Sequence, residues 1–466
     1  MIYFRLLGVI LIATLAVMLQ TCSLPTYYEK NFTFNEAIYR NDYVTAEKIF
    51  DEKADKKASG KNRFLHFVNG GMLKTLQGDY TSSNEYYEKA YLFTEDERKK
   101  FLQEGGALLL NPNLSTYFGE DHEVLMVNYF KALNYTQLGD YEAALVECRR
   151  LNLRLQQLSD KYKSDKKYKR DAFIHTLMGI LYDISEDYNN AFIAYRNAVK
   201  IYEEDYSTLF NLGVPEQLKK DVIRTADLTG IWDERDRYIK KFNIEYTRPP
   251  KDELSMFVLW NDGLGPVKVE TGLNFAIIHN GGGWVTFVNE KYGMSFPYYI
   301  GSNDLSGLNW IKIVVPTYVE RPLLFDKAIV KDQSGAYELD KAENLNAIAF
   351  KIQKERALIE LGEAVARVAL KQVAAYQVKR NNENLGTLMQ VIGNVSESAD
   401  TRNWQTLPHS IYYTRVPIKA GSQRMNLEMQ TRSGSKTVEP ITLDSISRSL
   451  IYPVFNLQPK PRAIRR

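Results

Sequence analysis

LMVNYFKALNYTQLGDYEAALVECRRL, residues Leu125 to Leu151, reads as two helices joined at Leu138-Gly139-Asp140-Tyr141. Counting from Gly139, Ala132 stands at minus seven, Tyr135 at minus four, Tyr141 at plus two, Ala144 at plus five and Cys148 at plus nine. Small Ala132 and Ala144 let two antiparallel helices cross closely, Gly139 suits the left-handed geometry of a tight turn, and Tyr141 fills the groove beside it.

The same offsets recur three more times. Gly78-Asp79-Tyr80 has Gly71 at minus seven, Ser83 at plus five and Tyr87 at plus nine, and Glu186-Asp187-Tyr188 has Gly179, Tyr182, Ala191 and Tyr195 in the matching places. Asn41-Asp42-Tyr43 has Ala46 and Phe50 but no small residue at minus seven. Unrelated amphipathic helices would explain a 3.6-residue period but not the coincident Asp-Tyr, small and aromatic positions. The pattern resembles the tetratricopeptide (TPR) repeat, which implies a helical-repeat solenoid over residues 34–245. Its turns are 37, 61 and 47 residues apart, so the array carries insertions. Leu228-Thr229-Gly230-Ile231-Trp232 reads as a degenerate fifth hairpin, and Arg248-Pro249-Pro250 ends the helix-forming sequence.

Ahead of the repeats, Arg5 precedes an apolar run from Leu6 to Leu19. As a helix this run rises only about 21 Å, short of a hydrocarbon core of roughly 30 Å, so residues 1–21 read as a signal peptide rather than a spanning helix. Leu19-Gln20-Thr21-Cys22 resembles a bacterial lipobox, with Gln20 and Thr21 standing where small residues are usual. The resemblance implies lipidation of Cys22, a tether over residues 22–33 and, with Ser23 rather than Asp next, a lipid anchor in the outer membrane. Cys148 is then the remaining thiol and occupies an aromatic slot of the repeat, which suits an inert buried residue.

After the prolines the period changes from 3.6 to 2. Phe257 to Trp260, Phe275 to Ile278, Trp284 to Val288 and Ile311 to Val315 read as strands, followed by a helical segment over 339–380 and further strands at Ile411 to Ile418, Met425 to Met429 and Ser449 to Phe455. The expected fold class is therefore α+β: an N-terminal TPR-like solenoid, then a β-rich domain over 246–466 carrying a long amphipathic helix. Phe257-Val258-Leu259-Trp260-Asn261-Asp262-Gly263-Leu264-Gly265-Pro266 and Ala399-Asp400-Thr401-Arg402-Asn403-Trp404-Gln405-Thr406-Leu407-Pro408 resemble two signature segments of a family of uncharacterised bacterial TPR-containing lipoproteins. That resemblance covers nearly the whole chain and implies a role in cell-envelope or peptidoglycan assembly. Alternation along Asp400-x-Arg402-x-Trp404 allows an Asp–Arg pair beside a packed tryptophan. Such a group serves either as a structural latch or as a binding site, with Trp260, Asp400, Arg402 and Trp404 its candidate residues.

Composition and motifs exclude more than they assign. Sixty basic and 57 acidic side chains leave a net charge of +3, which gives no field for nucleic acid. His279-Asn280-Gly281-Gly282-Gly283 resembles a lipase oxyanion loop, but no G-x-S-x-G elbow accompanies it, and a hairpin turn accounts for the glycines. Five dispersed histidines and the lack of nucleotide or zinc motifs point to no catalytic residue, metal or cofactor. The sequence therefore predicts a non-catalytic envelope lipoprotein that holds protein partners. Thirty-one tyrosines keep open an alternative, a surface glycan binder resembling the SusD type.

Overall fold

The computed structural model describes residues 25–52, 54–103, 115–159, 168–251, 253–301, 309–381 and 398–458. The expected signal peptide and Cys22 lie outside them. The expected tether is described from residue 25, and it is not a free linker. Thr26 and Glu29 cap a helical turn at Tyr27–Lys30, and the Tyr27 N–H donates to Thr401 Oγ1 at 3.0 Å.

The molecule is mixed α and β. Among the described residues its first half contains five helical hairpins, with shorter helical pieces between them: α1 (Phe32–Tyr39) with α2 (Tyr43–Asp51), α3 (Arg63–Leu76) with α4 (Tyr80–Gln103), α5 (Asp121–Gln137) with α6 (Tyr141–Ser159), α7 (Ala172–Ile184) with α8 (Tyr188–Ile201), and α9 (Glu216–Leu228) with α10 (Trp232–Phe242). One turn chemistry serves all five. Asn41, Gly78, Gly139, Glu186 and Gly230 each take positive φ. The next N–H closes on the first helix in every case: Asp42 on Ala37 O, Asp79 on Lys74 O, Asp140 on Tyr135 O, Asp187 on Tyr182 O and Ile231 on Ala226 O, all at 2.9 Å. In the first four the aspartate then caps the second helix, as Asp140 Oδ1 does by accepting from Ala143 N at 2.9 Å, whereas Ile231 in the fifth offers no side-chain cap. The recurring Asp-Tyr is thus a cap followed by a half-buried groove filler; Tyr80, Tyr141 and Tyr188 all have that exposure. Asp140→Ala is expected to cost about 1 kcal/mol, read as a lowered urea midpoint at unchanged slope.

Volumes match at the crossings. A Cβ on Gly71 would lie 2.5 Å from the Tyr87 ring, and one on Gly179 would lie 2.3 Å from that of Tyr195. In the hairpin where alanine replaces that glycine, Ala132, the aromatic position holds the smaller Cys148, and Ala132, Ala144, Cys148 and Ala191 are all fully buried.

The second half builds three sheets from β1 (Leu254–Asp262), β2 (Val267–Gly281), β3 (Trp284–Asn289), β4 (Met294–Tyr299), β5 (Trp310–Val319), β6 (Phe325–Lys331), β7 (Ala336–Glu338), β8 (Asp340–Asn344), β9 (Ser410–Ile418), β10 (Gly421–Thr431), β11 (Lys436–Ile446) and β12 (Leu450–Asn456). Their orders are β12-β1-β9-β8, β11-β10-β6-β7 and β4-β3-β2-β5. All pairings are antiparallel except β1 with β12. The helical segment expected from 339 begins at Leu345 and runs to Asn381 as α11; residues 340–344 form β8 instead, because their backbone pairs with β9.

The first sheet is a middle layer. Along β1, Phe257 and Leu259 enter the core shared with the helices, whereas Met256, Val258 and Trp260 enter the core shared with the second sheet. Burial on both faces explains the unbroken apolar run at Phe257 to Trp260. The third sheet packs Phe275, Ile277, Val285 and Ile313 on Leu361, Val365 and Val368 of α11, and the first turns of α11, at Leu345, Ile348 and Ile352, belong to the helical core. The cores therefore cross the expected boundary at 246.

Candidate functional site

Segments 257–266 and 399–408 meet at a seam between the halves. Gly265 N donates to Leu407 O at 2.7 Å and His409 N to Asp262 O at 3.0 Å. Asn403 Nδ2 reaches Pro266 O at 2.8 Å. Buried Arg321 ties both together, donating from Nε to Gly265 O at 2.6 Å and from Nη2 to Gln405 O. From this seam the second segment grips the first helices of the hairpins. Asn35 Nδ2 donates to Gln405 Oε1 at 2.6 Å, Thr406 Oγ1 to Asn69 Oδ1 at 3.2 Å, and the Trp404 N–H to Glu123 Oε1 at 2.7 Å.

The Asp–Arg pair forms, and it is bidentate: Arg402 Nε to Asp400 Oδ1 at 2.8 Å and Nη2 to Oδ2 at 2.7 Å. Its remaining nitrogen, Nη1, crosses to Asn62 Oδ1 at 3.0 Å and Ser115 O at 2.9 Å. Trp404 packs beside the stacked rings of Tyr87 and Phe130, at centroid distances of 5.9 and 5.6 Å. Trp260 sits between the first two sheets against Tyr412 and Phe325. Both tryptophans are enclosed by their own chain, as is Arg402, so these three residues offer no surface to a ligand. Asp400, by contrast, borders a cavity.

That cavity, about 210 Å³, opens beside the latch, and its charges come from elements that sequence reading did not connect. Glu120, just ahead of α5, pairs with Lys268 of β2, and with Arg356 of α11 at 2.7 Å. Burial opposes charge on Glu120, but Lys268 and Arg356 overcome it and hold the carboxyl below its usual range. Glu123 accepts from Tyr117 OH at 2.8 Å and Glu120 N at 3.1 Å. Burial, aided by Glu120, pushes its carboxyl up to about 7. Burial also raises Glu360, against the pull of Arg356. With 148 and 236 residues separating Glu120 from its two partners, no local motif marks the cluster.

His122 lies edge-on to Tyr318 with a buried Nδ1 that has no partner, and burial pushes its imidazole down to about 4. A folded pKa below the unfolded value of about 6.5 gives stability that is present above pH 6.5 and lost as pH falls toward 4, worth about 3 kcal/mol. Glu123 works in the opposite sense, losing its contribution as pH rises from about 4.5 through 7. His122→Phe is therefore expected to flatten the acid side of the stability profile by about one proton between pH 6.5 and 4. Urea unfolding across that range checks this, and an unchanged slope would remove His122 from the account.

A second surface lies on the third sheet, on the face turned away from α11. Trp284, Tyr299 and Trp310 are 49%, 59% and 64% exposed. Trp284 and Tyr299 stand opposite each other on β3 and β4 with ring centroids 5.2 Å apart. The glycine turn that feeds β3 is a hairpin connection, with Gly281, Gly282 and Gly283 at φ of 77°, 61° and 81°.

No family model matches the chain, and no curated protein matches it. Among solved structures, that of BtubC (BKLC) from P. vanneervenii is similar over 47% of this chain and 81% of its own, at 15% identity and a TM-score of 0.31. The apo form of RapI is similar over 46% of this chain and 68% of its own, at 15% identity and a TM-score of 0.32. Likenesses at that level carry no weight for arrangement or role.

Proposed function

We propose that this protein is a non-catalytic envelope scaffold, lipid-anchored in the outer membrane through Cys22, whose helical hairpins form a TPR-like solenoid. The observation that carries the reading is what the first helices of the hairpins hold. Asn35, Asn69, Glu123, Tyr129 and Asp221, from α1, α3, α5 and α9, all bond to the β half, and α7 lies against β8. In TPR solenoids that surface commonly receives extended or helical segments of other proteins. Here it cradles the chain's own middle sheet, so the repeats serve to present the β half and a partner meets the outer surfaces. The ion pairs at the cavity rim join α5, β2 and α11 and so suit a rigid frame. The exposed Trp284, Tyr299 and Trp310 suit contact, since interfaces favour large rings.

The same aromatic face favours the alternative, glycan capture, because flat rings stack on sugars. Among the described residues no helix is long and apolar enough to cross a membrane. Detergent partitioning and fatty-acid labelling of wild type and Cys22→Ser test the anchor. A photo-crosslinker placed beside Trp310 in cells tests the partner. Reproducible adducts with one envelope protein, lost in Trp284→Ala and Trp310→Ala, support the scaffold. Micromolar binding of soluble oligosaccharides by calorimetry, with no protein adduct, sinks it in favour of glycan capture.

A further inference from the structure

The charged cavity has a neighbour. Between β5 and α11 lies a groove of about 410 Å³ whose walls include Leu273, Met294, Val315, Phe350, Ala357 and Leu358. Val315, Pro316 and Glu360 line both spaces. One end is rich in charge of both signs, with Lys268, Arg356 and Arg367 among Glu120, Glu360, Glu363 and Asp400, and the other is mostly apolar. A ligand that fits both must carry a compact zwitterion at one end and hydrocarbon at the other.

We propose that the paired cavities bind one glycerophospholipid with a phosphoethanolamine head, the head in the charged cavity and an acyl chain along the groove. Charge complementarity selects the head. Guanidinium and ammonium groups suit its phosphate, and carboxylates such as Glu360 and exposed Glu363 accept hydrogen bonds from a primary ammonium. A choline head has no N–H to donate and is held by aromatic rings, and the charged cavity has none among its lining residues. A purely anionic head would leave the acidic side of the cavity unmatched.

The chain's own path favours a lipid over a soluble amphiphile. Tyr27 is bonded to Thr401, next to Asp400 on the cavity rim. Tyr27 stands five positions after Cys22, a path of at most about 18 Å. If Cys22 is acylated, as proposed above, the cavity mouth stands within reach of the bilayer surface. The binding site itself does not depend on that anchor.

The test is native mass spectrometry of the full chain purified from its membrane, with quantitative extraction of the retained lipid. The wild type is expected to keep about one ethanolamine phospholipid per chain, with the ratio of ethanolamine to other phospholipids about fivefold above that of the membrane. Ala357→Trp, which fills the groove, is expected to lose it with unchanged circular dichroism, and to melt as the delipidated wild type does. Glu363→Lys, at the exposed mouth, should shift the retained lipid toward anionic heads. Lipid recovered in membrane proportions, or kept equally by Ala357→Trp, overturns the site. Retention of fatty acid or detergent alone overturns the head assignment. The covalent mass reports acylation of Cys22 separately, so a failed anchor and a failed lipid site are distinguishable.

Discussion

Trp404→Ala is expected to lower the free energy of unfolding by about 4 kcal/mol, among the largest effects of any single truncation in this chain. The indole is 1% exposed, packs against both Tyr87 and Phe130, and belongs to the core that the helices share with the middle sheet. Its removal leaves a void flanked by the most enclosed helix, α5, whose residues from Asp121 to Asn134 are all buried. The surrounding segment cannot collapse into that void without breaking the Trp404 N–H bond to Glu123 and the Asn403 bond to Pro266. Trp404→Phe keeps the ring contacts but removes the Nε1–H that Thr406 Oγ1 accepts at 2.8 Å, leaving that hydroxyl its bond to Asn69; that variant should cost about half as much. Equilibrium urea unfolding reads both. A loss below about 1 kcal/mol for Trp404→Ala would show that the seam is not shared core.

Much of this architecture is written in local pattern, and the parts that are not have physical reasons. The hairpins are legible because each turn needs the same positive-φ residue, cap and small crossing residue within a short span, from Gly71 to Tyr87 or from Ala132 to Cys148. The bidentate Asp400–Arg402 pair is legible for the same reason, its partners being two residues apart. Several strands are harder to see. β4 and β11 contain Pro297 and Pro440, which argue against a central strand, and both lie at sheet edges, where a missing N–H is tolerated. β8 is polar, reading Asp340 to Asn344, and is a strand only because β9 pairs with it. Trp260 resembles a binding residue in sequence because alternation along a strand does not say which face meets solvent. Here neither does, since β1 is covered on one side by helices and on the other by a sheet. The cluster of Glu120, Lys268 and Arg356 depends wholly on tertiary contact.

Residues 246–466 expressed alone are expected to give no sharp unfolding transition and to associate or bind a hydrophobic dye. Without the helices, one face of the middle sheet would present Phe257, Leu259, Ile411, Tyr413 and Ile451 to water, together with Leu345, Ile348 and Trp404. That patch is on the order of 1,000 Å², above what monomeric proteins commonly expose. Polar groups would be stranded as well. Asn261 would lose Tyr129, buried Glu343 would lose Tyr206, and Arg415 would lose Asp221 of α9 at 3.4 Å. The shorter piece 246–336 should fare worse, because the third sheet would also lose Leu361, Val365 and Val368 of α11. Co-expression of 23–245 with 246–466 is expected to restore a soluble complex, since the seam is built from contacts between the two pieces and not from the linker at Arg248-Pro249-Pro250. A monomeric 246–466 that unfolds cooperatively near the midpoint of the intact chain would show instead that the β half owns a complete core. The helical array would then be free to hold another protein on the face that the sheet covers here.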